Sequence, residues 1–558
     1  VIHPCITRTR LLFFCVFIGA TTLGYSQSPT VEWAHSFGSN YNDLPVAISC
    51  DSSGHHYVAG NFTGSSLTFG SATINGFTSG GNNFVTKFDS NGNVIWAKNP
   101  VDSSRTTITS LACDAGGNIY ITGNFRNPSV RFGNFLLTSA DSIDIFIAKL
   151  DSSGQVVWAV SAGGDDDDYA ASVAVSHNGR ICLTGNFTSS NMNFGTHQVI
   201  NPSNHFAECF VAQYDMNGNA LGATNATGSA HSVGTAARFD YNDDIYVAGF
   251  YGSTTMQIGN DNLVSNGSND NFLVKFDQSL NELWARSSGG TDSERPFALC
   301  IDANNNVIVT GWFMSSTFYA GILSTPNSGP FSYTDIFIMK YSSNGNEQWV
   351  RSFGGDNMDI GDGLIADEYG NFFMTGQFRS SSIVFGNDTL HNSAAGYDDI
   401  LVVKFDASGN PLWTINSGGS WYDIGNSVDY RNGELYVAGN FSSSSIMLGS
   451  TTLFNVATYS SDLFVARIGS LTGMPELQSQ NDFSVYPNPS IGYFDLVTDL
   501  TTTYSLSVFD ATGALILVKK DVNERNVPID MSNYSSGIYT VLIEHNGIFS
   551  ARKLIVQK

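Results

Sequence analysis

The motif Tyr57-Val58-Ala59-Gly60-Asn61-Phe62 returns as Tyr120-Ile121-Thr122-Gly123-Asn124-Phe125, and then five more times. Its central glycines are Gly60, Gly123, Gly185, Gly249, Gly311, Gly376 and Gly439, spaced 62 to 65 residues apart. So regular a period means one supersecondary unit copied seven times. Such a unit cannot bury its apolar face alone and must pack on its neighbours.

Each copy divides into four principal strands. In the first, Leu44 to Cys50 is a short apolar run, and Asp51-Ser52-Ser53-Gly54 is a tight turn. Asp bonds its own backbone there and Gly supplies positive φ. Tyr57 to Phe62 and Asn83 to Phe88 alternate as strands do, a second Asp-x-x-Gly turn follows, and Val94 to Ala97 closes the unit. The Gly/Ser/Thr-rich stretch holding Phe69-Gly70 adds one short extra strand. Four strands of ordinary length make one blade of a propeller.

Tryptophans mark the fourth strand at Trp33, Trp96, Trp158, Trp284, Trp349 and Trp413, with Leu221 in the one missing place. Trp33 precedes any first strand, and no Trp strand follows Ile468. The segment around Val31-Glu32-Trp33 should therefore complete the last blade and close the ring, which leaves no open edges between its ends. The fold expected is all-β: a seven-bladed β-propeller over residues 27–469, a linker at 470–482, and a small immunoglobulin-like β-sandwich over 483–558.

Lys87 to Trp96 and Lys404 to Trp413 share the pattern Lys-Phe-Asp-x-x-Gly-Asn-x-x-Trp. It resembles the bacterial β-propeller repeats known as SBBP, and the tryptophan-docking turns of quinoprotein propellers. The resemblance spans residues 31 to 468 and implies that each Trp packs between adjacent blades. The fourth repeat departs from it at Leu221 and at Gly249-Phe250-Tyr251, so its blade should dock less tightly. The segment from Tyr486-Pro487-Asn488-Pro489 through Ser536-Gly537-Ile538-Tyr539 to Lys553-Leu554-Ile555-Val556 resembles the type A C-terminal sorting domain of the type IX secretion system of Bacteroidota. That resemblance implies export across the outer membrane by the type IX machinery, to the cell surface or beyond.

Residues 1–26 agree with export. Arg8 and Arg10 precede the apolar run Leu11 to Ala20, and small residues precede Gln27, the pattern of a cleaved secretory signal. The alternative is a membrane anchor, but the run is short for a hydrocarbon layer of about 30 Å. No transmembrane segment is expected in the mature chain. The formal charge of −24 disfavours nucleic acid as a partner.

Five cysteines follow the signal, at positions 50, 113, 182, 209 and 300, without disulfide-scaffold or zinc spacing. They suit buried small hydrophobes, with a Cys182–Cys209 bridge as the open alternative. His-Glu-x-x-His, Gly-x-Ser-x-Gly, phosphate-loop and Cys-x-x-Cys motifs are all missing from the sequence. The adjacent cysteine pair of many quinoproteins is missing too, so no cofactor is implied.

Both tight turns of a blade fall on one face, and the long variable connections fall on the other, where binding usually resides. Ten residues after the Trp position come Asp43, Asp168, Glu294, Asp359 and Asp423, with Thr106 and His231 in the remaining two repeats. Such a ring of carboxylates would gather a cation or basic partner, Ca2+ being the one ion to consider. The alternative is that each carboxylate caps neighbouring backbone N–H groups. Trp421-Tyr422 on the same face would stack on a sugar or a protein. These features favour an exported binding or scaffolding module with a glycan or protein ligand. The competing class is a secreted polysaccharide hydrolase or lyase with carboxylates drawn from separate repeats.

Overall fold

The computed structural model describes residues 29–469 and 483–558, apart from 78–80, 104, 127, 140–141, 204–205, 253, 330–332, 499, 501, 511–514 and 546–547. Residues 1–26, read above as a secretory signal, and 470–482, read as a linker, lie outside the described residues. Those residues form strands and turns, with no helix among them. The chain divides into two compact units, at Ser470 and Leu471.

The first unit repeats one antiparallel sheet seven times among the described residues. Six of these sheets have four strands, and the fourth is extended to six by the hairpin Thr317–Ala320/Leu323–Pro326 of the next repeat. The first strands are Asp43–Cys50, Thr106–Cys113, Asp168–Val175, Ser232–Phe239, Glu294–Ile301, Asp359–Ala366 and Asp423–Arg431. Each packs against the next, and the seventh packs against the first, so the sheets close into a ring. The outermost strand of the seventh sheet is Val31–Phe37, which pairs antiparallel with Asp462–Ile468 from Val31 opposite Ile468 to Phe37 opposite Leu463.

The Phe-Gly stretch forms two strands where one was expected. Ser66–Phe69 pairs with Ala72–Asn75 in a hairpin, and the same hairpin recurs in every repeat. Gly70 sits at the turn with φ of 58°, and Phe69 is buried beneath it.

The repeat motif has a geometric cause. Every first strand carries one extra residue, as between Pro45 and Ala47, opposite the motif glycine. At that bulge the carbonyl of the first strand bends over the second. A Cβ on Gly60 would overlap the carbonyl oxygen of Leu44, and one on Gly185 would overlap that of Tyr169. Only glycine admits so close an approach. Asn61 then brackets the neighbouring sheet, its amide donating to Ile108 O at 2.9 Å and its carbonyl accepting from Ile108 N at 2.9 Å.

The tryptophans join sheet to sheet. Indole N–H groups of Trp33, Trp96, Trp158 and Trp284 donate to carbonyls of Ser90, Ser152, Met216 and Ser343 in the next sheet's second tight turn, at 2.9–3.2 Å. The turn glycine lies beneath the ring, so a Cβ on Gly218 would stand 2.9 Å from Trp158. Between the third and fourth sheets the contact is rebuilt rather than lost, and register moves the missing tryptophan place from Leu221 to Gly222, which stands opposite Gln213 as Trp158 stands opposite Lys149. Where the next turn should carry Gly it carries Leu280, held at φ of 62°, and its side chain reaches Gly222 beside Leu221. Leu280 thus fills, over Gly222, the space an indole takes elsewhere, and Leu221 stays exposed. Gly222→Trp alone is expected to destabilise the protein by about 2 kcal/mol through overpacking against Leu280. Adding Leu280→Gly should recover most of that loss. A double-mutant cycle in urea measures the coupling, and strictly additive effects would show that the two positions do not share one space.

All five cysteines are free, which closes the Cys182–Cys209 alternative; four are buried, and Cys113 is half-buried.

The second unit holds two sheets. One is Phe483–Tyr486, Tyr493–Thr498 and Asn526–Asp530; the other is Leu515–Val522, Tyr504–Phe509, Gly537–His545 and Ile548–Val556. Leu496, Leu506, Val508, Val527, Val541 and Leu554 are buried in one core. The Tyr-Pro-Asn-Pro motif is tied to the last strand, for Asn488 Oδ1 accepts from Ile555 N at 2.9 Å.

Candidate functional site

The predicted carboxylates are the first residues of five first strands, and all five side chains have 0% exposure. Asp43 accepts from Ser39 N at 2.6 Å. Asp168 accepts from the Ser189 hydroxyl at 2.9 Å, and Glu294 from Gly290 N at 3.0 Å and from the Ser315 hydroxyl. Asp359 takes Gly355 N at 3.0 Å and the Ser380 hydroxyl at 2.6 Å. Asp423 takes Gly419 N at 2.8 Å and the Ser443 hydroxyl at 2.7 Å.

Each of the five faces a second buried carboxyl, the first residue of the preceding sheet's third strand. The pairs are Asp43 with Asp462, Asp168 with Asp144, Glu294 with Asp270, Asp359 with Asp335, and Asp423 with Asp399. In the third of these pairs the carboxyls close on the glycine between them: a Cβ on Gly289 would stand 2.6 Å from Glu294 and 2.8 Å from Asp270. Burial is the main force on these groups, and it pushes the five predicted carboxyls up to about 7. The like charge across the pair adds to the shift, and the hydrogen bonds from serine and backbone oppose it.

The two remaining junctions use neutral groups on at least one side. Thr106 donates to Asn83, and Ser232 donates to Glu208 at 3.0 Å. Register corrects the sequence reading in the fourth sheet, where Ser232 and not His231 stands opposite Tyr251 as Asp43 stands opposite Phe62. The count of ten starts one residue late, at Gly222 rather than Leu221, because Gly222 stands opposite Gln213 as Trp158 stands opposite Lys149. His231 instead contacts Asn269 at 2.8 Å.

Trp421 and Tyr422 lie on the connection into the seventh sheet, 41% and 39% exposed. Tyr397 packs 5.1 Å from both rings, and Tyr459 stands 6.0 Å from Trp421 at 86°. Tyr459 is 89% exposed with φ of 66°, a backbone conformation uncommon outside glycine. Arg379 lies over the Tyr422 ring at 5.4 Å and grips Asp398 with two hydrogen bonds of 2.9 and 3.0 Å. Separate connections thus bring four aromatic rings and a fixed guanidinium together. Tyr397, Tyr459 and Arg379 carry no local pattern in the sequence. Only the ring geometry unites them with Trp421.

The bulges shape the centre of the ring. The extra residues are Val46, Thr109, Ala171, Thr235, Phe297, Asp362 and Asn426. All seven line one cavity of about 290 Å³, which the first strands of every sheet surround.

Residues 484–557 match the family of secretion system C-terminal sorting domains. A tail of this kind implies secretion or export to the cell surface. No helix among the described residues is long and apolar enough to cross a membrane. An uncharacterized WD repeat-containing protein of Acanthamoeba polyphaga mimivirus is 23% identical over 546 residues, a stretch covering 82% of this chain. This chain spans 39% of that relative's length. Among solved structures, YCF48 bound to D1 peptide has a TM-score of 0.37 at 9% identity, covering 80% of this chain and 99% of its own. The Pan2 WD40 domain of Neurospora crassa has a TM-score of 0.37 at 8% identity, covering 78% and 97%.

Proposed function

We propose that the chain is an exported seven-bladed β-propeller that binds or scaffolds a ligand on its long-loop face. Its immunoglobulin-like tail would deliver it through the type IX machinery of a Bacteroidota cell, and the body would act at the cell surface or outside it. The observation that carries the reading is the aromatic cluster of Tyr397, Trp421, Tyr422 and Tyr459. Exposed rings fixed by loops on a rigid ring of sheets offer contact area at low entropic cost, and Arg379 adds a directed donor beside them. A neutral sugar or a protein surface suits such a platform, since a chain of charge −24 repels anions.

A screen of the full chain against glycans and proteins tests this. A ligand should appear whose affinity falls at least 10-fold, by about 1.4 kcal/mol or more, in Trp421→Ala and in Tyr459→Ala. A ligand indifferent to both substitutions would move the site elsewhere. Hydrolysis of a polysaccharide in the same screen would favour the enzyme reading instead.

A further inference from the structure

We propose that the axial cavity is a receptor for a protonated primary amine on an aliphatic stem. The bulges turn one residue per sheet into the lining of a single axial space. Five of those residues are apolar or carry only a hydroxyl, while Asp362 and Asn426 are acceptors on neighbouring first strands at the same register. Asp362 Oδ2 and Asn426 Oδ1 are both inaccessible to solvent, and among the described residues neither accepts a hydrogen bond. Buried acceptors without donors are costly, and they persist where something supplies the donor.

The charges around them favour a cation. Asp398 adds negative charge near Asp362, although Arg379 holds it. Burial pushes the Asp362 carboxyl well above its usual range, and a positive charge bound beside it would draw it back down toward the anion. Two positive groups oppose this. Arg238 lines the same cavity, and Asp429, lining it as well, offsets its charge. Arg295 lies over Phe250 at 4.8 Å and over Phe297 at 5.3 Å.

The identity of the cation follows from the donor set. Calcium takes six to eight oxygens, and the unpartnered ones here are two, Asp362 Oδ2 and Asn426 Oδ1. Among the described residues no three His, Cys, Asp or Glu side chains are grouped to hold a metal ion. An ammonium brings three donors of its own and needs only a few acceptors. Phe297, Val46 and the small residues Ala47, Ala298 and Gly363 line the same space and suit methylene groups. A free amine and the end of a lysine side chain in a protein share this chemistry.

Titration of the full chain with n-butylammonium and with Nα-acetyl-lysine amide, followed by NMR or calorimetry, tests the proposal. Both should bind saturably, and neutral n-butanol at least 10-fold more weakly. Asp362→Asn and Asn426→Ala should each weaken the ammonium probes at least 10-fold while the melting temperature stays within a few degrees. A lysine peptide binding 10-fold tighter than n-butylammonium would identify a protein ligand, and equal binding a free amine. No saturable binding, binding unchanged in both variants, or tight calcium binding lost with Asp362 would overturn it.

Discussion

Gly185→Ala is expected to lower stability by about 4 kcal/mol, among the largest effects of any single methyl group in this chain. The added Cβ would overlap the carbonyl oxygen of Tyr169 and stand 3.0 Å from Ala170 Cα, so the obstacle is backbone and cannot rotate away. The bulge would have to flatten, which would withdraw Ala171 from the axial cavity. Gly54→Ala is the control. Gly54 has φ of 82°, but nothing lies within 4 Å of the place a methyl group would take, so only the conformational cost of about 1 kcal/mol applies. Urea unfolding of the full chain measures both. Equal losses would show that left-handed backbone, and not close approach, is what the repeat glycine provides.

The second large effect is on pH. The five predicted carboxyls are held at about 7, and their partners Asp335 and Asp462 at about 6, all above the ordinary carboxyl range. Because the folded state holds these protons more tightly, their stabilisation is complete below about pH 4 and is lost as pH rises through about 7. His56 acts in the opposite sense: burial lowers it to about 3, so its contribution is full above about 6.5 and fades as pH falls. The balance places maximal stability at mildly acidic pH. Paired carboxyls share protons, so about 1 kcal/mol for each of the five pairs is a conservative figure. Spread over an unfolding entropy of about 1 kcal/mol/K for a unit of roughly 440 residues, that is a melting temperature about 5 °C lower at pH 8.5 than at pH 5.5. Asp168→Asn should flatten the profile, since an amide at such a junction already works beside Thr106. A melting temperature that rises steadily with pH would contradict the buried pairs.

Much of this architecture was legible in the sequence because it repeats. Period, alternation and the Asp-x-x-Gly turns located the four principal strands of each repeat, and the early Trp33 pointed to a partner near Ile468. The carboxylates were found by counting from tryptophan, but counting fails where the tryptophan is missing and its place, Gly222, is taken one residue too early, as before Ser232. Their partners Asp144, Asp270, Asp335, Asp399 and Asp462 also recur in register, at the head of each third strand, and that signal was there to be read. The bulge was hidden because its mark is a glycine on the strand opposite. Leu280 was hidden because its role depends on Gly222, 58 residues earlier. The aromatic cluster draws on loops whose lengths and sequences differ, so no repeat pattern announces it.

The pairing of Val31–Phe37 with Asp462–Ile468 also orders events in time. Arg467 meets Glu32 across 435 positions of chain, so a segment synthesised before any of the seven first strands stays without its neighbour until the last sheet exists. Closure is the slowest kind of contact to form, because the entropy of so long a loop is lost before any reward. Until then the Asp462–Ile468 strand presents a bare edge to any extended peptide nearby. A cell that makes this protein must therefore shield that edge, or deliver the chain to its destination before the clasp is fastened.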